Sequence, residues 1–366
     1  MQTTLATASD FAGTQAVPSA RARPTVLSPG GFLAVAALVC AALWACIWAY
    51  IVCFPMAYLD RDYPLLAAKA QLAAACPTGN IAVFGDSRAI VGVIPAQMDM
   101  RVTNLATPGA SPIEEYFMVR RLLRCPTPPK LVVIAQSAGM YAGPHAFWSI
   151  YAHMGVLKPA ELRQVTADAA RLQDDFLEAM PHPRGVPYSL LPSLYGVRFP
   201  SFYFANLIGG YGFARYHYNR VVLRNIVHDS GHMTFGDAPR NDEIADEGRM
   251  ENWQVTPVTN DYLRRMLALL ASHHVPVAIV TMPMNQATCQ HLSPLMQPRL
   301  TAYLASIARD NPNVVLADSA IACWPDTDFN DNAHFNLPGA IAYTKQFQAT
   351  LKQLAASANM RNAVND

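Results

Sequence analysis

Hydrophobic positions divide the chain into one long apolar run and a series of short apolar runs that alternate with helical patterns. Five short runs have the length and composition of buried strands: 81–84, 101–106, 130–136, 275–282 and 313–318. Helical periodicity is found at 112–123, 259–273, 294–309 and 338–355. Continuous apolar strands that alternate with helices are typical of a parallel sheet covered on both faces. The pattern therefore predicts an α/β domain with a flavodoxin-like, doubly wound parallel sheet.

The long apolar run, residues 31–54, carries no charged side chain. At about 1.5 Å per residue, it is long enough to cross a hydrocarbon core roughly 30 Å thick. Trp44, Trp48 and Tyr50 lie in its second half, as aromatic residues do at a membrane interface. The alternative is a cleaved signal peptide, which has a shorter apolar region and a small-residue cleavage site. This run ends in bulky residues, which favours an uncleaved transmembrane helix.

Charged residues beside the apolar run predict its orientation. Arg21 and Arg23 precede it with only Asp10 against them, whereas positive and negative charges balance just after it. The positive-inside rule then places residues 1–30 in the cytoplasm, where their Thr-, Ala-, Ser- and Pro-rich composition predicts a disordered tail. We expect residues 55–77 to form a stalk or first helix outside the cytoplasm, followed by the α/β domain at 78–366.

Residues 138–257 interrupt the alternation of strands and helices. They are rich in aromatic residues and proline, and their pattern predicts helices at 158–179 and 199–227. We interpret this segment as an insertion over one end of the sheet, serving as a lid or substrate platform. Its stretch YFANLIGGYGFARYHY is unusually aromatic for a free surface, so docking on the membrane or on a partner is the alternative.

The seven cysteines fall into two groups. Three lie in the apolar run and act as small apolar residues: Cys40, Cys46 and Cys53. The other four form no CxxC pair, which argues against a zinc ribbon or a thioredoxin-type site. Cys76 and Cys125 each precede a predicted strand, and Cys289 and Cys323 each follow one. In an exported domain we therefore expect two disulfides, pairing cysteines that occupy the same end of the sheet.

The run IAVFGDSR raises the central chemical question, because a buried strand ends abruptly in polar residues. Ligands gather beyond the carboxyl ends of the strands in an open parallel sheet, and Ser87 lies just past such an end. Gly85 permits a tight turn there, and a helical turn after Ser87 would direct its amide at a substrate oxygen. Ser87 is thus a candidate nucleophile. The alternative is that Asp86 and Ser87 only cap the turn that follows.

A matching base is found after the last predicted strand. His334 lies in DFNDNAHFNLPGA, three residues after Asp331. A turn brings these two side chains together, so that Asp331 can accept a hydrogen bond from one imidazole nitrogen while the other faces outward. Taken alone, this pair is typical of a surface turn. Because it follows a strand at the same sheet edge as Ser87, the three residues together predict a nucleophile, its base and an orienting carboxylate.

These motifs resemble the SGNH (GDSL-type) hydrolase superfamily across residues 78–137 and 258–357. The turn Gly85-Asp86-Ser87 matches the first block, and Asp331-Asn332-Ala333-His334 matches the last. The second block supplies a glycine to the oxyanion hole, and NLATPGAS places Gly109 there. The resemblance implies that Ser87 is the nucleophile, His334 the base and Asp331 its orienter.

The third SGNH block departs from the family pattern. It contains an asparagine in the family, whereas AQSAGMY has none. Either the side chain of Gln136 or Ser137 supplies the third oxyanion donor, or the hole has only the amides of Ser87 and Gly109. Removing one such donor costs on the order of 3 kcal/mol in the transition state. The missing asparagine therefore affects the expected rate of reaction more than the expected fold.

Three features narrow the resemblance to one branch of the superfamily. They are Arg88 directly after the serine, the apolar helix and the insertion. This membrane-anchored branch includes DltD-like proteins and the SGNH proteins of cellulose and alginate O-acylation, with cellulose-operon accessory proteins as the nearest match. It implies a single-pass protein of the bacterial inner membrane with a periplasmic catalytic domain. The implied activity is acyl transfer, for example of acetyl, to an extracellular polysaccharide such as cellulose by a ping-pong mechanism.

The same resemblance implies partners and leaves two other functions open. The implied partners are an integral membrane acyltransferase of the MBOAT class and a glycan synthase complex, and no cofactor is expected. One alternative is a carbohydrate esterase that removes acyl groups with the same three residues. The other is a non-catalytic scaffold that binds glycan or the partner. The net charge of +1, without clusters of Lys or Arg, gives no electrostatic case for nucleic acid.

Several other residues are weaker candidates for substrate or metal binding. Arg88 would either bind substrate or form a structural ion pair, and Asn285, after the strand at 275–282, would face the cleft as a substrate ligand. His228 and His232 have metal-ligand spacing, but the loop-like HDSGH lacks the glutamate of a zinc protease motif, and we expect no metal. Trp253 and Trp324 would either stack on sugar rings or pack in the core.

Overall fold

The computed structural model describes residues 28–76, 81–210, 213–318 and 320–356. The predicted apolar segment is a helix, α1 (Pro29–Cys53), that is long and apolar enough to cross a membrane. The predicted disordered tail falls almost entirely outside the described residues, as do Arg21 and Arg23. The chain divides into two compact units between Ile47 and Trp48, and the second unit contains the α/β domain.

Parallel strands form the centre of the second unit. In chain order the strands of the described chain are β1 (Ile81–Gly85), β2 (Val102–Asn104), β3 (Leu131–Gln136), β4 (Val277–Thr281), β5 (Met284–Asn285), β6 (Val314–Asp318) and β7 (Cys323–Trp324). Five of them form one sheet in the order β2-β1-β3-β4-β6, with every pair parallel. The predicted parallel α/β sheet is thereby confirmed, and its order is the one found in flavodoxin-like doubly wound folds.

Both faces of this sheet are buried, which explains why its strands are apolar throughout. Along β1, Ile81 and Val83 join one hydrophobic cluster, whereas Ala82 and Phe84 join the other. Side chains that alternate between two apolar layers require an uninterrupted apolar run. The sequence placed the strands correctly but set some ends too wide. β4 begins after Pro276, which has no N–H for the ladder, and β2 ends where the Asn104 side chain turns back to accept from the Ala106 amide.

Helices cover the sheet and build the insertion. Those of the second unit are α2 (Pro55–Tyr58), α3 (Asp62–Ala74), α4 (Ser87–Gly92), α5 (Pro112–Leu122), α6 (Ala138–Ala142), α7 (Pro159–Arg171), α8 (Phe176–Ala179), α9 (Leu191–Gly196), α10 (Phe204–Gly209), α11 (Phe213–His228), α12 (Pro257–Ser272), α13 (Gln286–Cys289), α14 (Met296–Asp310) and α15 (Leu337–Ala356). The predicted helices at 112–123, 259–273, 294–309 and 338–355 are confirmed as α5, α12, α14 and α15. A π-helical turn also spans Phe147–Ala152.

Of the two interpretations of residues 55–77, a stalk or a first helix, the described part fits the first helix. Helix α3 packs into the domain, where Leu65 and Ala68 belong to the hydrophobic core beneath the sheet. Helix α11 lies against it, and Asn219 of α11 donates to the carbonyls of Met56 and Leu59. Both helices carry apolar residues. Packing α3 and α11 against each other removes from water the apolar faces that the sheet alone would not cover.

The insertion at 138–257 is helical as predicted, but its long helices are shorter than expected. The predicted helix at 158–179 is interrupted after α7, where Gln173 adopts a left-handed backbone with φ of 55°. The predicted helix at 199–227 is replaced by α10 and α11. In the aromatic stretch that raised the docking alternative, Tyr203 is buried and donates to the His153 carbonyl, whereas Tyr216 and Tyr218 are exposed.

Both predicted disulfides are confirmed. Cys76 is bonded to Cys125, and Cys289 is bonded to Cys323. The first joins the residues that follow α3 and α5, and the second joins α13 to β7. Each therefore connects elements at one end of the sheet that are distant in the chain.

Candidate active site

The turn after β1 is shaped by a glycine and a capping aspartate. A side chain on Gly85 would place its Cβ 1.9 Å from the carbonyl oxygen of Ala135, so only glycine lets β1 and β3 approach here. The carboxylate of Asp86 accepts from the amides of Arg88 and Ser137, each at 2.9 Å. Asp86 therefore caps α4 and fixes the end of β3, which leaves the hydroxyl of Ser87 available for another partner.

That partner is His334. The Ser87 hydroxyl lies 2.7 Å from Nε2 of His334, although 247 residues separate them in the chain. On the other side of the ring, Nδ1 of His334 lies 2.8 Å from both carboxylate oxygens of Asp331. The structure thus brings together the three residues predicted from the sequence. A serine, an imidazole and a carboxylate in this order have the geometry of an activated nucleophile.

The Asp331 carboxylate is held ionised by its surroundings. Partial burial opposes its ionisation, but hydrogen bonds from the His334 ring and from the amides of Ala333 and His334 lower its pKa to about 2. An ionised Asp331 accepts a hydrogen bond from Nδ1–H of His334, so that Nε2 presents its lone pair to the Ser87 hydroxyl. The ring of Phe235 packs on the imidazole with centroids 4.6 Å apart and restricts its rotation.

The predicted oxyanion donors reach one cavity of about 410 Å³ beside Ser87. Ser87, Gly109 and Ser137 line it. Gly109 has a left-handed φ of 58°, and a Cβ there would come within 2.8 Å of the Ala146 side chain. The backbone of Gly109 is thereby exposed to the cavity as a larger residue would not allow.

The structure separates the two residues considered for a third donor. Gln136 is fully buried, and its amide nitrogen donates to the carbonyl of Ala110 at 2.6 Å. Ser137 lines the cavity that also contains Ser87 and Gly109. Gln136 is therefore already engaged inside the protein, and the side chain that fits the predicted position is that of Ser137.

Arg88 forms the structural ion pair that was the alternative to substrate binding. Its guanidinium lies 2.8 Å from the carboxylate of Glu247, and the two side chains are only 6% and 5% exposed. Both residues line the 410 Å³ cavity, but their charges neutralise each other. Arg88 thus connects α4, which begins at Ser87, to the insertion and forms part of the cavity wall.

The prediction that Asn285 binds substrate is wrong. Its side chain is fully buried, accepts from the Thr288 amide and donates to the carbonyls of Asn241 and Glu243. The chain turns into α13 directly after β5, and this turn needs a capping side chain at its start. Asn285 therefore holds the loop at 241–243 in place instead of facing the cleft.

The remaining candidates have structural roles. Helix α11 ends at His228, whose ring contacts Asp229, while His232 is buried with Nδ1 3.1 Å from the Ile90 carbonyl. Among the described residues, no group of three or more His, Cys, Asp or Glu could hold a metal ion. Trp253 is buried and donates to the Ala138 carbonyl, and Trp324 packs against Phe335.

Two residues of the site could not be recognised in the sequence. Glu247 belongs to an acidic run that is typical of a solvated loop, yet it pairs with Arg88 across 159 residues. Phe235, which packs on His334, lies in a segment with no strand or helix. Both contacts depend on how the insertion folds back over the sheet, and no local pattern indicates it.

A second cavity, of about 320 Å³, also lies beside Ser87. Ser87 also lines this cavity, together with His334, Phe235, Tyr218 and Arg61. Ser87 thus borders two cavities. Such an arrangement can admit an electrophile and a second reactant to the same oxygen and imidazole.

No family model, curated protein or solved structure matches this chain. The resemblance to SGNH proteins therefore depends on the motifs themselves, and function must be argued from the geometry of the site.

Proposed function

We propose that this protein is an SGNH-type serine O-acyltransferase. It transfers an acyl group, acetyl in the simplest case, to hydroxyls of an extracellular polysaccharide such as cellulose. The observation that carries the proposal is the 2.7 Å contact between the Ser87 hydroxyl and Nε2 of His334, with Asp331 on Nδ1. A serine hydroxyl is a weak nucleophile, and this arrangement supplies the base that it needs.

In the first half-reaction, His334 Nε2 accepts the Ser87 proton as Oγ attacks the acyl carbonyl carbon. The oxyanion that forms is stabilised by the amides of Ser87 and Gly109, with the Ser137 hydroxyl as third donor. Collapse of this intermediate breaks the bond to the donor's leaving group, which takes the proton from His334. The product is an ester on Ser87.

In the second half-reaction, a sugar hydroxyl gives its proton to His334 and attacks the Ser87 ester. The second tetrahedral intermediate collapses, the acylated sugar leaves and Ser87 recovers its proton from His334. The carboxylate of Asp331 stabilises the imidazolium in both halves. Two cavities at Ser87 give space for the acyl group and for the incoming hydroxyl.

The proposed location is the bacterial inner membrane, with α1 as the single membrane span and the α/β domain in the periplasm. The two disulfides support this location, because such bonds persist in oxidising compartments. The proposed partners are an MBOAT-class acyltransferase, which would move the acyl group across the bilayer, and a glycan synthase complex.

To test this proposal, the full-length protein is solubilised in detergent and incubated with 4-nitrophenyl acetate, with and without cellopentaose. We expect acetyl groups on the oligosaccharide, and none when Ser87 is replaced by alanine in a protein with unchanged circular dichroism. Acetylation of the oligosaccharide by Ser87→Ala at the wild-type rate would contradict the proposal.

A carbohydrate esterase with the same three residues is the second candidate. It is favoured by the two cavities that border Ser87, because water could then reach the acyl-enzyme. In the same experiment an esterase would release acetate and leave the oligosaccharide unmodified. A scaffold without activity would do neither.

A further inference from the structure

The two cavities beside Ser87 differ in the chemistry that they bring to it. The 410 Å³ cavity contains the oxyanion candidates, Gly109 and Ser137, whereas the 320 Å³ cavity contains the imidazole of His334. The carbonyl oxygen of an acyl group must lie among the oxyanion donors, and the attacking hydroxyl must reach Nε2 of His334. The acyl group is therefore assigned to the first cavity and the acceptor hydroxyl to the second.

The cavity on the imidazole side continues into an open groove. A neighbouring cavity of about 550 Å³ is lined by Asp60, Arg61, Asp62, Arg215 and Tyr218. Arg61, Asp62 and Tyr218 line both cavities, so the two are contiguous. A chain of several sugar units can lie in such a groove while one of its hydroxyls reaches His334.

The groove's side chains fit a neutral sugar. Two carboxylates and two guanidinium groups line the open part, so that its formal charges cancel and both hydrogen-bond donors and acceptors are present. Tyr218 is 53% exposed and offers a ring face beside a phenolic hydroxyl. An aromatic ring with a polar end suits the apolar face and the hydroxyl rim of a pyranose.

We propose that the groove from His334 past Tyr218 to Asp60 binds a neutral polysaccharide acceptor, with the Tyr218 ring as the surface on which a sugar unit stacks. This inference depends on the proposed acyl transfer and names the acceptor's binding site. It also gives Tyr218, one of the exposed aromatic residues of α11, a function that is distinct from docking on a membrane.

The test compares Tyr218→Ala with Tyr216→Ala in the full-length protein. Tyr216 is also exposed on α11, but its ring lies against the Arg220 guanidinium and lines neither cavity. For Tyr218→Ala we expect acetylation of cellopentaose to lose roughly tenfold in kcat/KM, through a higher KM. Formation of the acyl-enzyme from 4-nitrophenyl acetate is measured in parallel and should fall by less than the use of cellopentaose. Tyr218→Trp should retain acceptor use, and Tyr216→Ala should match wild type.

Binding measured without catalysis makes failure of this inference distinguishable from failure of the proposed function. Cellopentaose is titrated into the Ser87→Ala protein by calorimetry, with and without Tyr218→Ala. Weaker binding with Tyr218→Ala supports the groove, and equal binding overturns it. Preference for an anionic mannuronate oligomer over cellopentaose overturns the neutral acceptor. A wild-type protein that forms no acyl-enzyme would contradict the proposed function itself, and the titration would still decide the groove.

Discussion

Asp86 and Ser87 are neighbours in the chain but carry different tasks in the turn after β1. The sequence allowed two interpretations of this turn, a helix cap and an exposed nucleophile. Asp86 forms the cap by accepting hydrogen bonds from the amides of Arg88 and Ser137, and the Ser87 hydroxyl contacts His334, as a nucleophile would require. Motif chemistry could predict these residue types, since each function needs a particular donor or acceptor at the strand end.

Replacing Asp331 with asparagine tests the orienting role of this residue. An amide can donate to Nδ1 of His334 and stabilise the wrong tautomer, which leaves Nε2 unable to accept the Ser87 proton. We expect the rate of acyl-enzyme formation to fall by about 10³- to 10⁴-fold. Stopped-flow measurement of nitrophenol release checks this, with Asp328→Asn in the same segment as control. Equal losses in the two variants would contradict the assignment.

The lowered pKa of Asp331 also predicts a dependence of stability on pH. The unfolded side chain has an ordinary pKa of 3.8, whereas the folded one has a pKa of about 2. An acid with a depressed folded pKa contributes stability above its unfolded pKa, and loses it as pH falls through the folded value. The stability of wild type relative to Asp331→Asn should therefore decrease from about pH 4 to about pH 2. Urea unfolding across this range checks the direction.

Arg88 and Glu247 form a pair whose disruption should be costly. Removing one partner leaves an uncompensated charge in a place where both side chains are nearly inaccessible to water. We expect Arg88→Ala to lower the free energy of unfolding by about 3–5 kcal/mol. The exposed pair between Arg240 and Asp242 provides the control, since Arg240→Ala should cost at most about 1 kcal/mol. Chemical unfolding measures both, and similar losses would contradict a structural role for Arg88.

At the scale of elements, a buried lysine joins the segments around α4. Nζ of Lys69 on α3 donates to the carbonyls of Asn104 at 2.8 Å and Gly231 at 2.5 Å. The side-chain amide of Asn104, at the end of β2, donates to the carbonyl of Ala89 on α4 and to that of Val93 just after α4. These bonds fix α4, which carries Ser87, against β2, α3 and the turn after α11.

Burial lowers the pKa of Lys69 well below 10.5. The unfolded chain then binds more protons than the folded one between these two pKa values, so folding becomes more favourable as pH rises through that window. We expect the stability of wild type relative to Lys69→Met to increase as the pH rises towards 10.5. Lys352→Met, which removes an exposed lysine paired with Asp99, is the control. Parallel curves for the two variants would contradict a lowered pKa of Lys69 in the folded protein.

At the scale of the whole molecule, the sheet could be predicted better than the insertion. The strands at 81–84 and 130–136 are apolar because both faces of the sheet are covered, and this pattern is visible in one sequence. Asp331 and His334 were predictable because a turn brings residues three apart together. The helix ends in 158–179 and the contact between Glu247 and Arg88 depend on tertiary packing, which no local pattern indicates.

The insertion provides part of the walls of both cavities beside Ser87. The sequence alone could not show which of its residues line which cavity. Glu247 and Met250 lie beside the cavity of the oxyanion candidates, while Tyr218 and Phe235 lie beside the cavity of His334. A lid or substrate platform was the interpretation from composition. In the fold this segment lines both cavities beside Ser87, which supports a role in binding two reactants.

The most direct test of the account is to locate the acyl group on the protein. Full-length wild type, Ser87→Ala and Ser137→Ala are incubated with isotopically labelled 4-nitrophenyl acetate, quenched in acid, digested and mapped by mass spectrometry. We predict one acetyl group on the Ser87 peptide of wild type, the same label formed about 10²- to 10³-fold more slowly in Ser137→Ala, and none in Ser87→Ala. Label on another residue, or equal labelling of Ser87→Ala, would contradict Ser87 as the nucleophile.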